Sequence, residues 1–538
     1  MKRRVIFTLL LLPLCALAAA PESGKEKLRQ LVRLPTLNMT AGFGLNHAQG
    51  FYLVTETRDL PMDLATVRKQ IAATPTDPVL HSQLGKLLAE SDHDDDAQRA
   101  YAKAAELYRG RLEAQPENGP LLTALAEVLA ELNKGDESES RFREAVRVAP
   151  REWRCWLGLA KCLASQALVL LTDDGRFTGE WKLAFAQMEK QKPTAERIAL
   201  AQSRAREART AFDRTVTLAP DEASVFIERG LATAFLNVLD KLIAGLRGEA
   251  EMPDFVRELH SAAAVPDFKK AARLAPLDYR VNGNAVMFEM ASYFVRQPQE
   301  AFGAGGVWAV LPDSARQSIG FGLARVEAIA NGPNPRDAAG AWEVLALFQL
   351  ILRQDGPGAA ENARRAVTLD PKREQSWEIL TGATVAGGNY ENLLRVCEDR
   401  LKLKDSTRNR LMVAKSLFYL KREEAAAAKV KAALQLAPDD FIANLAQAAL
   451  LLRNAKVPDA LAQAEQHLAR AGKLSDTFVK ASRDADQTRY SLVDFDIETA
   501  VLCALRDDTE TARRLLAEVL KASPGNDYAQ TLQAALWQ

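Results

Sequence analysis

The sequence predicts an all-α chain, a right-handed superhelical solenoid of stacked antiparallel helix pairs. Three observations predict it: one well-formed hairpin over 119–150, recurrence of its spacing elsewhere, and a proline stop repeated down the chain. In the hairpin, Leu121, Leu122, Leu125, Val128, Leu129 and Leu132 fall at helical spacing on one stripe. Asn133-Lys134-Gly135-Asp136 then breaks the pattern; Gly135 suits a left-handed C-cap and Asp136 an N-cap. Phe142, Ala145, Val146 and Val148 form a second stripe, and Pro150 cannot continue a helix. Neither helix is long enough to hold alone, and the pair has too little apolar face to fold by itself. Such a unit must stack on copies of itself.

Composition agrees with helices. Of 538 residues 7% are aromatic and 26% charged, and Lys+Arg and Asp+Glu are both 70. That balance argues against nucleic acid or an anionic membrane as partner. The N-terminus is predicted to be a signal peptide over 1–18. Lys2, Arg3 and Arg4 precede an apolar Val5–Leu17 stretch, and Ala16-Leu17-Ala18 is a small-x-small cleavage site. Cutting after Ala20 would leave Pro21 behind the scissile bond. Pro13 and Leu14 before Cys15 are not the small residues of a lipoprotein signal, and the Leu-rich core favours the general secretory route over a twin-arginine one. No later stretch approaches 18 apolar residues, so no span is expected in the mature chain, and its compartment is expected to be periplasmic or secreted. The four cysteines that remain, Cys155, Cys162, Cys397 and Cys503, are read as buried small hydrophobes.

Five segments follow in order: the signal peptide; a non-repeat arm and cap helix over 19–74; a repeat block over 75–290; a Gly- and Pro-rich insertion or linker over 291–339; and a second repeat block over 340–538 with a capping helix. Within the arm, Phe51–Thr57 reads as a short strand or extended stretch, and a helix runs from Asp63 to Ala73. From Pro78, Leu84-Gly85, Leu88, Ala97, Tyr101 and Ala104 recur at the offsets of Leu125-Ala126, Leu129, Ser138, Phe142 and Ala145. The stop recurs at Pro150, Pro220, Pro276, Pro371, Pro438 and Pro524, and spacings of 70 and 67 are close to two repeats. The pattern resembles the tetratricopeptide repeat, a helix-turn-helix of about 34 residues. His81 and Leu122 stand where that family usually has tryptophan. Insertions are expected within 163–204, 245–266 and 297–337, the last holding Gly303-Ala-Gly-Gly306 and Gly332-Pro-Asn-Pro335.

No catalytic, metal or cofactor site is legible. The five histidines make no zinc-like pair, and Asp92–Asp96 lacks the glycine and terminal glutamate of a calcium loop. No Gly-Lys-Ser/Thr follows the glycines at 303–306, and no G-x-S-x-G occurs. The expectation is a non-catalytic scaffold without cofactor that binds a peptide or protein. The resemblance implies a concave groove lined by the first helix of each hairpin. Carried onto matching positions, it names Ser82 and Lys86, Thr123 and Glu127, Glu378, Leu411, Lys415, Phe418 and Tyr419, and Ala443 and Gln447. Lys86, Glu127, Glu378, Lys415, Phe418 and Tyr419 are the partner-binding candidates, with Lys415 beside two aromatics the most site-like group. The pairs Ser82/Lys86 and Thr123/Glu127 do not match the Lys/Asn clamp that holds a chaperone's C-terminal carboxylate. Two other readings are an accessory factor in envelope assembly or polysaccharide or protein export, and an enzyme or small-ligand binder built on 297–337.

Overall fold

The computed structural model describes residues 24–34, 64–90, 94–171, 192–253, 262–294, 306–456, 459–481 and 485–536. The stretch 1–18 expected to be a signal peptide, the stretch 51–57, Asp92, His93, Gly303–Gly305 and Trp537 lie outside them. The described residues form 24 α-helices and no strand. Helix α1 spans Gly24–Leu31, and α2 spans Leu64–Ala73, one residue short of the predicted start. Ten helix pairs follow in sequence: Pro78–Glu90 with Asp94–Ala114 (α3, α4), Gly119–Glu131 with Gly135–Val148 (α5, α6), Trp153–Val169 with Ala195–Leu218 (α7, α8), Ala223–Arg247 with Val265–Leu274 (α9, α10) and Tyr279–Phe294 with, beyond the short α12 (Gly306–Val310), Asp313–Ala330 (α11, α13). Then come Pro335–Arg353 with Gly356–Leu369 (α14, α15), Glu374–Ala386 with Tyr390–Leu403 (α16, α17), Thr407–Tyr419 with Glu423–Leu436 (α18, α19), Phe441–Arg453 with Ala460–Ala481 (α20, α21) and Ala485–Leu505 with Thr509–Ala522 (α22, α23). Asp527–Leu536 (α24) closes the series. The fold is an all-α helical solenoid. From Gly306 on, the stretch expected to be insertion or linker is largely helical, and α13 packs on α11.

The chain divides into two compact units, residues 47–302 with 307–344, and residues 1–46 with 303–306 and 345–538. In the unit containing 47–302 the hairpin core is built from small residues under aromatics, as the spacing predicts. A Cβ on Gly85 would lie 2.7 Å from the ring of Tyr101, and one on Gly158 would overlap Phe142. Gly230 meets Phe268 in the same way. Cys155 and Cys397 are buried, whereas Cys162 and Cys503 are half-buried, and all four are free thiols.

Two local details recur. In the 119–150 hairpin the left-handed residue is Asn133 (φ +56°), not Gly135, which is already the first residue of α6. Asparagine tolerates that region, and Lys134 N–H then donates to the Leu129 carbonyl at 2.9 Å, closing α5. Lys134, not Asp136, occupies the N-cap. Gln354, Gly388, Lys421 and Asp507 take positive φ at the equivalent turns. The second detail is a lock over five of the six proline stops; Phe226, six residues after Pro220, has no donor to offer. The side chain six residues later donates to the proline carbonyl: Trp156 to Pro150, Trp377 to Pro371, Asn282 to Pro276, Asn444 to Pro438 and Gln530 to Pro524 at 2.7–3.2 Å. His81 Nε2 makes the same bond to Pro75 at 2.9 Å, so histidine there performs the tryptophan's task.

Candidate partner-binding groove

The unit containing 345–538 brings a distant segment onto its first helices. The first helix of its fourth hairpin, α20, buries Phe441, Leu445, Ala448 and Leu452 in a cluster that also takes Leu28 and Val32. Helix α1 packs against α20, α22 and α24. Leu34, beyond the end of α1, enters the neighbouring cluster with Leu411, Met412, Leu417, Ala443 and Leu450. A fully buried aliphatic side chain contributes about 1.5–3 kcal/mol, so these three anchors dominate the docking. The segment can reach them because Leu28 and Val32 sit one helical turn apart on α1 and its C-terminal edge, while 32–34 continue as non-helical chain.

Polar contacts fix the segment's backbone. Arg453 Nη1 donates to the carbonyls of Gln30 (2.7 Å) and Val32 (3.1 Å). Its guanidinium is aimed by Glu423, at 2.8–3.1 Å, and lies 5.1 Å over the ring of Phe418. At the other edge, Arg33 N–H donates to Tyr528 Oη (3.2 Å), while the Arg33 guanidinium sits 4.9 Å over that ring and 3.4 Å from Asp527. Tyr528 Oη donates in turn to Glu498 Oε1 at 3.0 Å. Burial drives the Glu498 carboxyl well above its ordinary range, with the Tyr528 bond opposing and Asp494 adding to the rise. Burial likewise raises Tyr528. Lys25 pairs with Asp507 (2.6 Å) and Glu26 with Lys456 (2.7 Å); the Lys456 hydrogen bond lowers the Glu26 carboxyl.

The sequence-predicted residues distribute as follows. Phe418 reaches this groove, as the platform under Arg453. Lys415 is buried, 6.0 Å from the Tyr419 ring, because its stem is enclosed by the helix packing around it; it is not the accessible cation the pattern implied. Tyr419 is 40% exposed and lies tilted against Tyr390, ring centroids 4.8 Å apart. Glu378 is half-buried and pairs with Arg408 at 3.1 Å. Leu411 and Ala443 lie in the core beneath Leu34, and Gln447 is half-buried. In the other unit, Lys86 is half-buried, Glu127 is exposed, Ser82 bonds the Pro78 carbonyl, and buried Thr123 donates to Cys155 Sγ at 3.2 Å. Sequence reasoning missed Arg453, Glu423, Tyr528 and the segment 24–34. The signal was Leu28, Leu31 and Val32 at i, i+3 and i+4 among basic residues.

Within 297–337, Ser318 donates to Glu289 Oε2 (2.8 Å) and Lys269 to Oε1 (2.6 Å). Both oxygens of that buried carboxylate are thus satisfied, which suits a structural tie between α10, α11 and α13 better than a reacting base. Among the described residues no group of three His, Cys, Asp or Glu could hold a metal ion. No described helix is long and apolar enough to cross a membrane. A cleft of ≈ 830 Å³ opens between α15, α16 and α17 around Trp377; two of its polar side chains, Lys402 and Arg364, are engaged by Asp399 and Asn392.

The hairpins, their glycine-aromatic packing and the proline locks define a helical-repeat protein of tetratricopeptide-like fold. No protein-family model matches the chain, and no curated protein matches it. Among solved structures it is similar to yeast Tom70 (14% identity, 88% of this chain and 90% of that one, TM-score 0.34). It is also similar to Naa15/Naa10 bound to HypK-THB (12%, 88% and 88%, 0.31) and to the APC/C hetero-tetramer Cut9-Hcn1 (13%, 86% and 99%, 0.26). At such scores these likenesses carry no functional argument; the fold rests on the hairpin geometry itself.

Proposed function

We propose that this chain is a non-catalytic scaffold that binds a peptide or protein partner along the first helices of its hairpins. One observation carries the reading: first helices of the unit that contains 345–538 accept a peptide segment from far away in sequence, residues 24–34, by apolar anchors and backbone hydrogen bonds. That is the helix-groove mode of peptide recognition, with side-chain pockets giving selectivity and carbonyl contacts giving hold. The basic, apolar leader at 1–18 supports an exported scaffold, periplasmic or secreted. The test is a photo-crosslinking side chain placed in cells at exposed first-helix positions, Glu127 and Tyr419, and at exposed second-helix positions, Arg365 and Lys431. Defined partner adducts are expected from the first pair only. Equal adducts from both pairs, or none from the first, would sink the reading.

A second reading, an accessory factor for envelope assembly or for polysaccharide or protein export, rests on the same leader. It requires co-fractionation with membranes, and a wholly soluble pool would count against it.

A further inference from the structure

We infer that the groove formed by α18, α20, α22 and α24 is a receptor for a basic amphipathic peptide, and that residues 24–34 are its built-in occupant, displaced when a partner of the same pattern binds. The inference rests on the scaffold reading and names the partner's chemistry.

The occupant spells out what the groove selects. It takes two apolar residues four apart, Leu28 and Val32, then a third, Leu34, two further on in non-helical chain. Cations flank them: Lys25 faces Asp507 and Arg33 faces Asp527, so the rim carries an acidic group at each end, with one rim cation, Lys456, meeting the occupant's single acid, Glu26. Between the ends Arg453 reads only the carbonyls of Gln30 and Val32, contacts that any peptide backbone supplies. A partner is therefore recognised by spacing and charge, not by one side chain.

The hold on the occupant is suited to exchange. Helix α1 has 8 residues, too few to persist away from the groove. Two of its ion pairs are exposed, with side chains 40% and 79% accessible for Lys25–Asp507 and 50% and 63% for Arg33–Asp527, and such pairs are weak and salt-screened; in the third, Glu26 is partly covered beside Lys456. What favours the occupant is its tether, which makes docking intramolecular and sets a threshold that an outside peptide must exceed. A permanent core element would instead be expected to carry buried, fully enclosed polar contacts on both edges.

The experiment uses the full chain and a fluorescein-labelled synthetic peptide of residues 24–34, Gly-Lys-Glu-Lys-Leu-Arg-Gln-Leu-Val-Arg-Leu, with a scrambled peptide as control. Binding is followed by fluorescence anisotropy for the unsubstituted chain, for Leu28→Asp/Val32→Asp, and for Arg33→Glu. The labelled peptide is expected to bind the double variant at least tenfold more tightly than the unsubstituted chain, Arg33→Glu an intermediate amount, and the scrambled peptide none of them. Equal binding to all three chains, or no binding to variants that keep the original circular dichroism, would show the segment to be a fixed core element. Should the double variant lose its helicity, Arg33→Glu decides alone: a gain of at least threefold supports exchange, and no gain refutes it. Peptide exchange without first-helix crosslinks would strike the scaffold reading only, whereas first-helix crosslinks without peptide exchange would strike this inference only.

Discussion

Arg453 and Val32 stand 421 residues apart in sequence, yet the guanidinium of the first donates to the backbone carbonyl of the second at 3.1 Å. The same side chain is held by Glu423 and by the face of Phe418, so its direction is set before the segment arrives. Pre-orientation of a charged donor is what turns two ordinary carbonyls into a docking site.

Arg453→Ala removes both carbonyl bonds while leaving Leu28, Val32 and Leu34 in place. The loss is about 3–6 kcal/mol of docking at most, since charge-assisted bonds are each worth about 1.5–3 kcal/mol. Amide hydrogen exchange is expected to accelerate at least tenfold over 24–34 while α20 and α22 stay protected. Unchanged exchange there would show that the apolar anchors suffice.

Glu498 gives the groove floor a pH dependence of definite sign. Its carboxyl is raised above the ordinary value of 4.5, so the protonated form is the one the fold prefers. The stability it supports is fully present below about that value and is lost as pH rises through the raised value. Thermal melts of the unsubstituted chain are expected to fall from pH 5 upward, and Glu498→Gln to melt higher at pH 7 with a flatter profile. A steeper profile in the glutamine variant would contradict the assignment.

Two glycine substitutions separate packing from propensity. In Gly158→Ala the new methyl overlaps Phe142, and overpacking of this kind costs about 1–3 kcal/mol. Gly110 lies exposed in α4 with nothing within 4 Å of a Cβ, so Gly110→Ala should stabilise by about 0.5–1 kcal/mol. Chemical denaturation of both variants checks the opposite signs.

The thiols should label in a set order. Burial pushes Cys397 and Cys162 up to about 11, and raises Cys155 and Cys503 less far. At pH 8 the folded chain is expected to alkylate at Cys503 first and at Cys397 last, because the thiolate is the nucleophile. In denaturant all four should react alike; a fast-reacting Cys397 in the folded chain would refute its enclosure.

The repeat was legible because its physics is local. Small residues under aromatics and a proline stop specify a hairpin from within about 34 residues, and Gly85 with Tyr101 obeys the rule that Gly158 with Phe142 obeys. Even the missing tryptophan was replaced by an equivalent donor, His81. The turn at Asn133 misled, since asparagine and glycine both tolerate a left-handed residue and only the hydrogen-bond register tells which is used. The groove was only partly legible. Phe418 was named from the groove positions that the repeat resemblance implies, but Arg453 and Tyr528 acquire their roles from a segment that no local window contains. Lys415 is buried where the pattern implied an accessible cation, since a lysine at a groove position is accessible only if nothing packs over its stem.

The docking of α1 also imposes an order of events on the chain as it is made. Arg33 and its partners Asp527 and Tyr528 are 494 and 495 residues apart. At roughly 5–20 residues per second of synthesis, the opening segment waits on the order of 25–100 s for the helix that completes its seat. Throughout that interval it is a basic-apolar segment without the α24 part of its seat. A chain cut short before α24 lacks the Asp527 and Tyr528 contacts, so the full seat forms only once that helix has been made.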